Sequence, residues 1–227
     1  MEISQSLIDI KQRIASVYSL LGDRFAQFPR AKETWSSLAT GEEFQCRALK
    51  QLSENVEIGG DPPALQQLSD SVTLLCAQGS AAELNLEGAY KLSLELSWIQ
   101  VDLIAFLVDN MEFPHSLEVR NIAAVMSTNL LNLYDMIEKS MTGSALRKPL
   151  YRTRVRLIML NLVFLEFDMR NYLTGILGLS RLLSQEAGAE EGMKQTIEEI
   201  YRFCNVARDA MQGLEGIRKR LGADAGS

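Results

Sequence analysis

Apolar residues recur at three- and four-residue spacing through most of this chain, and the residues that break helices are few and clustered. Leu7, Ile10, Ile14, Tyr18 and Leu21 open the pattern, which has the period of one face of an α-helix. Near the other end, Met193, Ile197, Ile200, Cys204, Ala207, Met211 and Leu214 alternate between steps of four and three. That is a heptad seam, and it is buried only when a partner helix runs along it. With five prolines in 227 residues and no long alternation of apolar and polar side chains, the chain is expected to be all-α.

The breakers divide it into segments. Helices are expected over 4–28, 30–55, 63–77, 81–110 and 116–140, punctuated by Pro29, the Gly59-Gly60-Asp61-Pro62-Pro63 cluster and Pro114. Thr142-Gly143-Ser144 is the expected domain boundary, giving one unit over 1–141 and another over 142–227. The second unit should hold two long helices, 150–186 and 190–221, that turn at Ala187-Gly188-Ala189. Met169, Leu173, Ile176, Ser180 and Leu183 form a stripe on the first of these. Two helices alone leave such stripes half covered, so a second copy is expected to close a four-helix bundle. The chain reads as a homodimer.

Composition excludes several classes. A net charge of -6 leaves no electrostatic footprint for nucleic acid. The basic cluster Arg147, Lys148, Arg152, Arg154 and Arg156 reads as a solvated helix start, with an anion or membrane contact as the alternative. Cys46, Cys76 and Cys204 are odd in number and widely spread, which indicates neither a disulfide framework nor a zinc site. No apolar run approaches the roughly 18 residues that span a bilayer, so membrane insertion is not expected. Met1 leads into a polar amphipathic stretch rather than a signal peptide, and the expectation is a cytoplasmic protein with reduced thiols. His115, the sole histidine, has no neighbouring nucleophile or paired acid that would make a triad. Neither a Gly-rich nucleotide loop nor a P-loop is present.

The segment from Phe167 to Leu183 carries the most specific motif. Asp168, Arg170, Asn171, Leu173 and Thr174, followed by Gly-Ile-Leu-Gly-Leu-Ser-Arg-Leu-Leu, resemble the phosphoacceptor helix of sensor histidine kinases. In that family the helix typically begins with the phosphorylated histidine and an acidic residue. Here Phe167 stands in the histidine's place and Tyr172 replaces a proline. Phenylalanine offers no nucleophile for a phosphoryl group. The resemblance therefore implies a pseudo-histidine-kinase hairpin without autokinase activity. It would dock a response-regulator receiver domain, or a kinase, through Phe167, Asp168, Arg170, Asn171 and Thr174. The alternative is an aspartyl-phosphate phosphatase. Asp168 and Asn171 share a helical face, so the amide could orient a water in line with the phosphate.

The first 140 residues resemble the ferritin-like, rubrerythrin-type bundle. The resemblance rests on Val17-Tyr18-Ser19-Leu20-Leu21, on Leu38-Ala39-Thr40-Gly41-Glu42-Glu43-Phe44-Gln45, on the stretch from Ala89 to Ser97 and on that from Ile122 to Asn129. A di-metal site of that family takes a Glu from each of two helices and a Glu-x-x-His from each of two others. The resemblance places Gln12, Glu42 with Gln45, Ser97, and Met126 with Asn129 in those slots. Only Glu42 is a carboxylate, a vestige, and no metal or cofactor is expected. Glu43, Glu87 and Glu95 are expected on solvated faces. A metal- or small-ligand-sensing role for this bundle is a further alternative.

Overall fold

A computed structural model describes residues 3–110, 116–140, 145–186 and 197–208. All regular structure among them is helical. Six long helices are α1 Ile3–Arg24, α2 Pro29–Asn55, α3 Pro62–Gly79, α4 Leu86–Asn110, α5 Ser116–Ser140 and α6 Arg147–Glu186. Residues 197–208 are helical as well. Two compact units divide at Leu157 and Ile158, inside α6. The expected boundary at Thr142-Gly143-Ser144, the turn at 187–189 and His115 lie outside the described residues. Among those described, no helix is long and apolar enough to cross a membrane.

Helix ends follow local chemistry. Helix α1 stops at Arg24 rather than Phe28, and the turn brings the Phe25 ring to 5.6 Å from Trp35, centroid to centroid. Pro29 does not close α1. It opens α2, where a missing N–H costs nothing because first-turn amides have no helical acceptor. Helix α4 begins at Leu86, five residues later than expected. The Asn85 side chain accepts the Gly88 N–H at 2.8 Å, an N-cap that fixes the start. The carbonyls of Ala81 and Ala82 ahead of it are held by the Arg24 guanidinium. Helix α6 starts at Arg147, with Pro149 inside its first turn. In the α2–α3 connection Gly60 has φ +137°, and a Cβ there would collide with the Phe106 ring. Only glycine satisfies both conditions.

In the first unit, α1 pairs with α2, α2 with α5, α5 with α4 and α4 with α1. The four close a ring around one interior, and α3 packs outside on α1 and α4. Each ring helix presents a buried row at alternating steps of three and four. The rows are Leu7, Lys11, Ile14, Tyr18, Leu21 on α1 and Trp35, Leu38, Glu42, Gln45, Leu49, Leu52 on α2. On α4 they are Ser93, Ser97, Gln100, Ile104, Leu107, and on α5 Val119, Ala123, Met126, Leu130, Leu133, Ile137. This is the seam geometry of a helical bundle.

In the second unit, Ile197 and Cys204 are buried and Ile200 and Ala207 half-buried, while Glu198, Glu199, Arg202, Phe203, Asn205 and Val206 are exposed. The described part of the C-terminal heptad row therefore faces inward. Met193, Met211 and Leu214 fall outside the described residues.

Trp35 is the largest sealed side chain of the ring. Its ring meets Phe25 and Tyr90, and its indole N–H donates to Ser93 Oγ at 2.9 Å. Trp35→Ala is expected to cost about 3–5 kcal/mol through the cavity it leaves, read from urea unfolding. A cost below about 1 kcal/mol would show that this indole is not enclosed.

Candidate functional site

The centre of the ring is ionic. Lys11 and Glu42 are each 1% exposed, and their Nζ and Oε2 lie 3.1 Å apart. Lys11 also donates to Gln45 Oε1 at 2.7 Å, and the Gln45 amide donates to Glu42 Oε1 at 3.2 Å. The three side chains thus close on one another. The contact of Glu42 Oε2 with the ammonium is an ion pair whose hydrogen-bond alignment is imperfect. Burial pushes the Glu42 carboxyl above its ordinary range, against the opposing pull of Lys11 and of its hydrogen bonds to Lys11 and Gln45.

The first unit buries further polar groups. Gln100 donates to the Tyr18 hydroxyl at 2.8 Å. Burial, followed by the Glu42 charge, holds the Tyr18 phenol well above its usual pKa. Ser97 donates to its own helix at Leu94 O, 2.8 Å. Thr153 does likewise at Pro149 O and Leu150 O. Both hydroxyl protons are therefore committed, and the adjacent Tyr134 hydroxyl makes no bond of full geometry. The Cys46 thiol, buried beside the triad, is pushed up to about 11, chiefly by desolvation.

The expected metal slots do not converge as a ligand set. Gln12 is exposed, and Lys11 occupies the interior position of α1. Asn129 is half-buried and turns toward α2, accepting a long bond from Ser37 at 3.4 Å beside Gly41. Ser97 and Met126 are buried, but a hydroxyl already bonded to its helix and a thioether are poor ligands for a hard cation. The single carboxylate is neutralised by an ammonium. These residues do not fit a dinuclear centre. Glu43 and Glu87 are exposed, and Glu95 is half-buried beside Lys91 at 4.0 Å. Among the described residues, no three His, Cys, Asp or Glu side chains come together as a metal site.

On α6, Arg170, Asn171 and Thr174 are exposed, and Phe167 and Asp168 half-buried. The Thr174 hydroxyl is engaged with Arg170 O at 2.8 Å, and Arg170 pairs with Glu166 one turn back. Ile176, expected in the covered stripe of this helix, is 43% exposed and belongs with a second row that the spacing also carries. Ile158, Leu165, Tyr172 and Leu179 stand seven apart and are 51%, 47%, 73% and 63% exposed. Leu162, Met169 and Ile176 interleave at the intervening heptad positions, the first two half-buried. The signal is present in the spacing. At about 100° per residue, Arg170 and Thr174 project away from this row. The partly buried stripe of Met169, Leu173 and Ser180 lies beside it.

The basic cluster separates into two groups. Arg154 pairs with Glu138 at 2.6 Å. Arg156 pairs with Asp102 and lies over the Trp98 ring, 4.1 Å from its centroid. Lys148 and Arg152 line a cavity instead. Comparison of the chain with family models, curated proteins and solved structures finds no match.

Removing one member of a buried ion pair strands the other. Lys11→Met is expected to cost about 3–5 kcal/mol in urea unfolding. Adding Glu42→Gln should return most of that loss, because the stranded charge is removed while an amide remains for Gln45. If the double variant is as unstable as the single one, lost packing rather than charge is responsible.

Proposed function

We propose that this protein is a non-catalytic docking protein of the two-component type that works as a homodimer. The observation that carries the reading is the exposed row Ile158, Leu165, Tyr172 and Leu179 on α6. Large apolar side chains repeated every seven residues along one helix leave a continuous seam in water, and only another helix buries it efficiently. A second copy of α6 matches it, since a two-fold axis pairs a periodic row with itself. This row supports the four-helix closure expected from the hairpin.

The docking face lies on another side of α6 and stays available in such a dimer. Arg170, Asn171 and Thr174 supply exposed polar groups, and half-buried Phe167 an apolar anchor. Together with their likeness to the kinase phosphoacceptor helix, they support a receiver domain, or a kinase, as the partner. The first unit is read as a ferritin-like bundle in which the Lys11 ammonium takes over the role of a cation. The ring of α1, α2, α5 and α4, with α3 in the connection between its two hairpins, supports that reading.

Sedimentation at micromolar concentration should give a dimer, and the double variant Leu165→Glu/Tyr172→Glu a monomer of unchanged helicity. A monomeric wild type sinks the dimer. Against a panel of isolated receiver domains, with and without beryllofluoride, the wild type should bind at least one. Arg170→Ala combined with Asn171→Ala should weaken that complex by about tenfold, or 1.4 kcal/mol. If receiver phosphate is instead lost faster in the protein's presence, and Asn171→Ala stops this while binding survives, the activity is the phosphatase.

A further inference from the structure

A cavity of about 530 Å³ opens in the first unit between α3, α4 and the first turns of α6. Its size falls within the range of small-molecule pockets, roughly 300–1,000 Å³. The floor is apolar: Leu75, Leu94 and Ile99 are buried and Trp98 half-buried. The Trp98 ring is held by the Arg156 guanidinium stacked over it, which is in turn anchored on Asp102. An aromatic wall fixed by its neighbours suits a ligand site better than a mobile one does.

The charge around this floor is unbalanced. Lys91, Lys148 and Arg152 line the cavity against a single acid, Glu95, an excess of two positive charges. Lys91 and Glu95 hold each other only loosely, at 4.0 Å. Among the described residues, neither Lys148 nor Arg152 has an ion-pair partner, although Arg154 and Arg156 of the same cluster are both paired. A guanidinium and an ammonium left without carboxylates above an apolar floor complement one kind of molecule: an anionic head on an apolar body.

We propose that this cavity binds a carboxylate with an apolar tail, its head on Lys148 and Arg152 and its body against Leu75, Leu94, Ile99 and Trp98. The proposal is independent of the docking reading, since every residue it uses belongs to the first unit. Fatty acids and aromatic acids share this chemistry. A neutral molecule of the same shape would leave both cations without a partner, and a small inorganic anion would leave the floor wet.

Calorimetric titration of the full-length protein tests this with dodecanoate, naphthoate and dodecanol as probes. At least one of the two acids should bind saturably in the micromolar range, and dodecanol at least about tenfold more weakly. The tighter acid names the source of the body. The surface double variant Lys148→Glu/Arg152→Glu should weaken acid binding by about tenfold or more without altering the dodecanol value. Ser71→Trp, which adds bulk to the cavity wall from the exposed side of α3, should remove both. Absence of saturable acid binding up to millimolar concentration overturns the proposal. So does dodecanol binding as tightly as the acids, or acid binding indifferent to the charge reversals.

Discussion

The first unit is organised around one buried ammonium. Taking Lys11 and Glu42 out of water costs several kcal/mol for each ion, and their attraction offsets this only where the geometry is good and the remaining polar atoms are occupied. Gln45 provides part of that by bridging Lys11 Nζ and Glu42 Oε1. Such a triad adds little net stability over a well-packed apolar layer, but it penalises misalignment. If α1 slid by one turn against α2, Lys11 would leave Glu42 and both charges would be stranded. Trp35 with Ser93 ties α2 to α4, and Tyr18 with Gln100 ties α1 to α4. The helix faces are set by apolar periodicity, and their axial register by these few polar links.

The second unit specifies itself differently. Its described interior is apolar apart from Cys204 and Ser180, and the Ser180 hydroxyl is satisfied by Ile176 O of its own helix. A row of repeating apolar residues defines which face is covered but accepts more than one partner of the same period.

Much of the helical order is legible because apolar period and breakers agree, as for α5, which spans Ser116–Ser140 as expected. The differences at helix ends have local causes. Asn85 caps α4, so the helix does not extend back to Ala81. Pro149 and Pro29 look like barriers in sequence, although a first turn admits proline. The interior triad is half legible. Lys11 falls four after Leu7 and three before Ile14, squarely on the seam, but its charge argues for the surface and the resemblance points to Gln12. Position is readable from spacing, whereas the partner that makes burial tolerable lies 31 residues away on another helix. The seven-residue row on α6 is hidden for the opposite reason, because the resemblance draws attention to the proline that Tyr172 replaces and not to where Tyr172 points.

The chain has two tryptophans, and their surroundings could hardly differ more. Trp35 is sealed, with its N–H bonded to a buried hydroxyl; Trp98 is half-buried beneath a guanidinium at the edge of a cavity. Indole emission shifts with polarity and is altered by nearby charge, so the molecule contains two optical probes of separate events. The blue component follows the integrity of the helical ring. The red component follows what happens at the mouth between α3, α4 and α6, and single tryptophan-to-phenylalanine replacements would let each be watched alone.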